Sequence, residues 1–280
     1  MKKILFFLSF YISQAYAQTG LEFNHKFIEC ENKWVAVKTG SDTSLSYGFV
    51  YVDDIAGFTF NLEGSFTIEK DGRFVPKKSS SISIHKYRLK PNNTKVAFIP
   101  TAKYGELEIQ EYPDWLKHYM DDTVSASHFY HRGFIFNGFN ECAKALTYLE
   151  KARKMDPKFK GLAVELAFSY NCLSQYNQAI LILQEALETN PTDAYVYKEL
   201  IFAQIHAQQI DNAVESCKKA IAVCNSVNYH AENCYNILYI FYKNKDKKRF
   251  DEWLPEAQKW TAKNARLTEL IKKMEADLGQ

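Results

Sequence analysis

Residues 145–157 read ALTYLEKARKMDP, and residues 179–191, which lie 34 positions further along the chain, read AILILQEALETNP. Both segments begin with alanine, carry a second alanine seven residues later and end in proline. The alanine register continues at Ala213 and Ala220. A period of this length indicates that one supersecondary unit recurs along the chain and buries its apolar face against its neighbours.

Four units of this kind begin at Ala126, Lys160, Ala194 and about Ala231. The first unit places a characteristic series of residues in register: Phe129, Gly133, Phe136, Ala145, Leu149, Ala152 and Pro157. The second unit follows the same order with Ala163, Ala167, Tyr170, Ala179, Leu183, Ala186 and Pro191. The third keeps Tyr197, Ala213 and Ala220, and the fourth is degenerate. This pattern resembles the tetratricopeptide repeat (TPR), a helix-turn-helix unit of 34 residues, over roughly residues 122–260.

The resemblance implies an α-helical solenoid with repeats at about 126–159, 160–193, 194–230 and 231–262. Pro255 in the fourth unit leaves the helix boundary there unassigned, because proline disrupts a helix beyond its first turn. Apolar residues alternate with charged ones from Leu267 to Glu275, which predicts an amphipathic capping helix over residues 263–278.

The residues before this region follow a different periodicity. Short alternating or aromatic-rich runs, separated by turn residues, occupy 33–37, 47–52, 57–60, 65–68, 81–84 and 95–99. Asp71-Gly72 lies between two such runs and predicts a hairpin. The sequence therefore predicts an α+β multidomain protein, with a small all-β domain, sandwich or barrel-like, at 18–115 and the TPR-like solenoid at 116–280.

Residues 1–17, MKKILFFLSFYISQAYA, have the layout of a secretory signal peptide. Two lysines precede an apolar run that is too short to span a membrane, and Ala15-Tyr16-Ala17 provides a cleavage site. We expect cleavage after Ala17 and a bacterial periplasmic or secreted product; an uncleaved anchor is the alternative. Beyond this segment the sequence predicts no transmembrane span.

Composition excludes three classes of protein. With 46% hydrophobic and 15% aromatic residues, the chain is not mainly disordered. A mean hydropathy of −0.35 excludes a polytopic membrane protein. Removal of Lys2 and Lys3 with the leader leaves 33 basic residues against 33 acidic ones, so the formal charge of +2 disappears. A neutral chain argues against nucleic acid as the partner, because a duplex binder needs a basic face.

In the TPR family, the concave surface is lined by positions 2, 5, 9, 12 and 13 of each first helix. Read onto this sequence, positions 5, 9 and 12 predict a partner-binding groove that contains Tyr130, Phe134, Asn137, Val164, Phe168, Asn171, Lys198, Phe202, Tyr235, Tyr239 and Tyr242. Rigid aromatic side chains suit capture of a protein or peptide, here a cell-envelope partner. The lysine and asparagine of the family's carboxylate clamp are absent, since Tyr130 and Phe134 occupy those positions.

Two alternatives to a groove-binding adaptor remain open. The aromatic side chains could be internal packing, in which case the protein would be a structural spacer of an envelope complex. The β domain could instead act on an envelope polymer, although the sequence shows no convergent catalytic set there. We expect a non-catalytic adaptor without cofactor or metal. His128 and His131, three residues apart on one helix, are expected to be solvated surface rather than metal ligands.

Six cysteines in an exported chain raise the question of disulfide bonds. Their spacing matches no metal-binding motif. The repeat geometry of the TPR family brings Cys172 towards Cys142 and Cys224 towards Cys234. Either pair could form a disulfide, with reduced thiols packed in the core as the alternative.

Overall fold

The computed structural model describes residues 20–38, 44–53, 56–77, 85–119 and 124–278. The chain divides into two compact units, of which the first ends at Phe139 and the second starts at Asn140. The first helix of the repeat array falls in unit 1, although the sequence places the domain boundary near residue 115. The leader predicted for residues 1–17 and the strand predicted at 81–84 lie outside the described residues.

The described strands of unit 1 form one antiparallel sheet in the order β1-β7-β2-β3-β4-β5, with β6 also paired to β4. One edge of β4 pairs with β3. The other edge pairs with both β5 and β6, because β4 has 12 residues and the two short strands bind to different parts of it. A two-sheet sandwich is therefore not formed by these strands, and no pairing among them closes a barrel. The strands are β1 (His25–Lys26), β2 (Lys33–Lys38), β3 (Leu45–Asp53), β4 (Gly57–Ile68), β5 (Phe74–Lys77), β6 (His85–Arg88) and β7 (Lys95–Phe98).

Both faces of this sheet are buried at β3, and one of them carries an aromatic cluster. Alternate residues of β3 point to the same side, so Tyr47, Phe49 and Tyr51 share a single cluster. A 3₁₀ helix, Asp114–Tyr119, adds Leu116 and Trp115 to that cluster. The Trp34 indole donates a hydrogen bond to the carbonyl of Gln110 at 2.8 Å, so the ring is buried with its polar atom satisfied.

The hairpin predicted at Asp71-Gly72 is confirmed. Ile68 of β4 pairs with Phe74 of β5, and the turn between them includes Gly72 at φ 82°, a left-handed conformation that glycine adopts without strain.

Nine α helices follow one another through the described part of the C-terminal region. They are α1 (Ala126–Gly138), α2 (Cys142–Met155), α3 (Leu162–Cys172), α4 (Tyr176–Thr189), α5 (Ala194–His206), α6 (Ile210–Val223), α7 (His230–Lys243), α8 (Lys247–Thr261) and α9 (Ala265–Leu278). Pro255 lies inside α8 and does not end it. In the part of the chain that is described, no helix is long and apolar enough to cross a membrane.

The 34-residue period is visible in the backbone. Each turn between the two helices of a unit contains one residue with positive φ: Asn140 (59°), Ser174 (59°), Gln208 (62°) and Lys245 (55°). The residue that follows donates its N–H to the same position of the preceding helix in three units: Gln175 to Tyr170, Gln209 to Gln204 and Asp246 to Phe241. Repeated turn geometry at these spacings gives the helical region the architecture of a TPR array.

Small residues occupy the helix crossings of unit 2. Ala145, Ala179 and Ala213, which share one register, are completely buried. Buried Tyr197 and Phe241 fill the gaps between helices of the last two repeats. The last helix, α9, buries Ile271 and Met274 and so covers the end of the array, as predicted for a capping helix.

The sheet of unit 1 contains a tight site at Gly48, beside the register shift between β3 and β4. A methyl group there would press on the carbonyl oxygen of Asn61 and stand 2.7 Å from the Phe60 ring. Because backbone cannot move aside cheaply, we expect Gly48→Ala to lower the free energy of unfolding by about 1–3 kcal/mol. Denaturant unfolding followed by tryptophan fluorescence measures this loss.

Gly105→Ala is the matched control, since nothing lies within 4 Å of the added methyl group. Equal unfolding midpoints for the two variants would contradict the close approach at Gly48.

Candidate protein-binding groove

Two adjacent cavities lie along the first helices of the last three repeats, α3, α5 and α7. The larger, of about 330 Å³, is lined by Asn140, Phe168, Asn171, Cys172, Lys198, Glu199, Phe202, Glu232 and Asn236. The smaller, of about 250 Å³, is lined by Phe202, Ile205, His206, Gln208, Asn236, Tyr239, Ile240 and Lys243. Phe202 and Asn236 line both cavities and therefore stand between them. We call this pair of cavities the α3-α5-α7 groove.

Five of the predicted groove residues line these cavities: Phe168, Asn171, Lys198, Phe202 and Tyr239. Phe202 is 37% exposed and Tyr239 is 45% exposed. Within unit 2 the described residues thus leave large aromatic surface uncovered along the groove, which is unusual for side chains that serve only as core.

Three predicted residues of unit 2 line neither cavity. Val164 packs against the core between α3 and α5. Tyr235 packs against the core of the last two repeats. The Tyr242 hydroxyl donates to Asp277 of the capping helix at 2.6 Å. The groove role of these three residues stays a prediction.

The remaining three predicted residues lie on α1 and belong to unit 1. Phe134 is 53% exposed, and its ring lies 6.4 Å from that of Tyr130 in a stacked arrangement. Asn137 is buried rather than open to solvent. The role predicted for α1 in partner binding stays a prediction.

The predicted groove set omits several residues that line the cavities, although the repeat register points to them. Position 2 of the fourth repeat is Glu232, and position 13 is Cys172, His206 and Lys243 in repeats two to four. All four line a cavity. Glu199 and Asn236, both at position 6, have no such signal in the register.

The larger cavity contains a buried charged side chain. Glu199 is 5% exposed; it accepts from Lys198 Nζ at 3.0 Å and from Asn171 Nδ2 at 3.3 Å. Burial disfavours the Lys198 ammonium, but the Glu199 carboxylate and its hydrogen bond outweigh burial, so the pKa of Lys198 is raised. The Lys198 ammonium is therefore charged at neutral pH, and it lines the same cavity as Phe168 and Phe202.

The smaller cavity is lined by fewer charged side chains than the larger one. Burial, followed by the charge of Lys243, lowers the pKa of His206 from its ordinary value. The imidazole is therefore neutral at pH 7, and it packs against the rings of Phe202 at 4.2 Å and Tyr176 at 5.2 Å. Lys243 provides the positive charge at this end of the groove.

The histidine pair on α1 differs from expectation. His128 is 7% exposed, so its predicted place on the solvated surface is wrong: its ring packs edge-on against Phe129 at 5.5 Å. His131 Nδ1 lies 3.3 Å from the Ser127 hydroxyl. Among the described residues, no group of three or more His, Cys, Asp or Glu side chains could hold a metal ion.

The structure joins Cys142 to Cys172 and leaves the other four cysteines free. The second pairing suggested by the sequence, Cys224 with Cys234, is absent because the buried Cys234 sulfur instead lies 3.8 Å from that of Cys217. The disulfide links the start of α2 to the end of α3, where Cys172 borders the larger cavity.

The disulfide closes a loop with a sequence separation of 30 residues. Closing a loop of that length restricts the unfolded chain, so we expect Cys142→Ala with Cys172→Ala to lower the unfolding free energy by about 3–4 kcal/mol. Denaturant unfolding with and without reductant measures the effect. Alkylation of the unreduced, denatured protein should label the four free thiols; labelling of all six would contradict the bond.

Comparison with known proteins yields only structural likeness. MamA (residues 41 to the end) from Desulfovibrio magneticus RS-1 is 17% identical, over 54% of this chain and 84% of that chain, with a TM-score of 0.47. YrrB, described as "a TPR protein with an unusual peptide-binding site", is 20% identical, over 56% and 79%, also with a TM-score of 0.47. No family model matches the sequence, and no curated protein matches it. At these scores the likeness carries no functional information about this chain.

Proposed function

We propose that this protein is a non-catalytic adaptor that binds a segment of a partner protein in the α3-α5-α7 groove. The observation that carries the proposal is the exposure of Phe202 and Tyr239 beside two cavities of the helical array. Aromatic side chains offer large contact area and lose little conformational entropy on binding, so they dominate many recognition sites.

The polar residues of the groove complement this apolar surface. Asn171 and Asn236 carry amides, and Lys198 and Glu199 carry charges, all on the walls of the larger cavity. Apolar walls with a few positioned polar groups are typical of sites that fix both the affinity and the orientation of a ligand. The open cavities of unit 2 favour this function over a spacer whose groove is filled.

Alanine substitution tests the groove. Phe168→Ala and Phe202→Ala each remove a wall of the larger cavity, and we expect each to weaken binding of a groove-selected peptide about thirtyfold, as for other aromatic anchors. The peptides come from a random phage-displayed library selected on the purified protein, and fluorescence anisotropy gives their affinities.

The control is Leu181→Ala, because Leu181 on α4 is 62% exposed and lines neither cavity. Circular dichroism checks that all three variants stay folded. If folded Phe202→Ala bound the peptides as tightly as Leu181→Ala, the groove would not be the binding site.

We further propose that the protein works outside the cytoplasm, in the periplasm or secreted, with an envelope protein as its partner. The signal-peptide layout of residues 1–17 and the Cys142–Cys172 bond support this, since disulfides persist in oxidising compartments. Mass spectrometry of the protein from a bacterial periplasmic extract should give a mature chain that starts at Gln18. Recovery of the intact chain from the cytoplasm alone would argue against export.

A further inference from the structure

The charges that line the larger cavity do not balance. Lys198 and Glu199 form an ion pair at 3.0 Å, and both oxygens of Glu199 are engaged. Glu232, exposed in the first turn of α7, makes no hydrogen bond or ion pair with the described residues. Glu232 does act electrostatically on Lys198, since its charge helps to raise the pKa of that ammonium. Two carboxylates therefore share one ammonium, and the cavity lining carries one net negative charge.

A carboxylate is favourable in the first turn of any helix, so Glu232 alone does not indicate a ligand. A second observation comes from Asn171, which is 6% exposed and lines the same cavity. Its Nδ2 donates to Glu199, whereas its Oδ1 accepts no hydrogen bond from the described residues. A buried acceptor without a donor costs free energy until a donor is supplied.

The walls of the cavity narrow the choice of donor. Phe168 and Phe202 present aromatic rings, which attract cations through their negative faces. Guanidinium and ammonium groups carry positive charge and donors but no acceptors, so they match the carboxylate of Glu232, the acceptor of Asn171 and the rings together. A carboxylate ligand would face both Glu199 and Glu232.

We propose that the larger cavity receives a basic side chain, arginine or lysine, of the partner segment, with Glu232 as its counter-charge and Phe168 and Phe202 as its walls. The proposal rests on the adaptor function proposed above and adds the chemical class of the bound segment. Apolar residues beside the basic one would occupy the smaller cavity, which is lined by Ile205, Ile240 and Tyr239.

The test uses synthetic peptides taken from the library selection on the purified full chain. Each peptide is made in two forms, with its basic residue kept as arginine or replaced by citrulline, which has the same shape but no charge. We expect the arginine form to bind about tenfold more tightly to the unmodified protein. In Glu232→Gln this preference should fall to about threefold or less, while Phe202→Ala should weaken both forms.

Glu188→Gln is the matched control, because Glu188 is exposed on α4 and lines neither cavity. Equal affinity of the arginine and citrulline forms, selection of acidic or neutral peptides only, or a preference that Glu232→Gln leaves unchanged would each overturn the inference. If, in any of these cases, the selected peptides still bound more weakly to Phe202→Ala, the proposed adaptor function would hold without the proposed basic side chain. If no selected peptide depended on Phe202, both proposals would fall.

Discussion

Close approach of helices at buried alanines is the constraint on which the repeat array depends. Ala145, Ala179 and Ala213 occupy equivalent positions, and none has accessible surface. A larger side chain at such a crossing would force the helices apart, because protein interiors leave no spare volume. Since each repeat contacts only its neighbours, the helix spacing at every crossing affects the positions of all the repeats that follow. The width of the α3-α5-α7 groove therefore follows from small residues that do not line it.

Stability alone does not explain the ion pair of Lys198 and Glu199 at the wall of the groove. Glu199 is 5% exposed, and taking a carboxylate out of water costs free energy that its partner and hydrogen bonds must offset. Asn171 orients one carboxylate oxygen and Lys198 the other. The three side chains thus hold each other in one arrangement at the cavity wall. A fixed arrangement of charges favours a particular ligand orientation without reorganisation when the ligand binds.

The sequence predicted the helical half more accurately than the β half for a physical reason. Helix pairs of a repeat are local, so the register of Ala179 and Pro191 reports directly on neighbouring turns. The pairing of a sheet is not local: β7 lies between β1 and β2, although β3 to β6 separate it from both of them in sequence. No short-range pattern specifies that order, and the single sheet in place of a sandwich could not be predicted from strand positions alone. The hairpin at Gly72 was predictable because its pairing is local.

For the groove, too, the repeat register predicts some of the lining residues but not which aromatic side chains stay exposed. Positions 2, 9 and 13 of the repeat lead to Glu232, Phe202 and Lys243, all of which line a cavity. The register cannot distinguish Tyr239, which stays exposed, from Tyr242, whose hydroxyl the capping helix engages through Asp277. That difference depends on α9, which has no counterpart in a repeat. Because the cap occupies one end of the array and leaves Phe202 and Tyr239 uncovered, it stabilises the solenoid without closing the surface proposed for the partner.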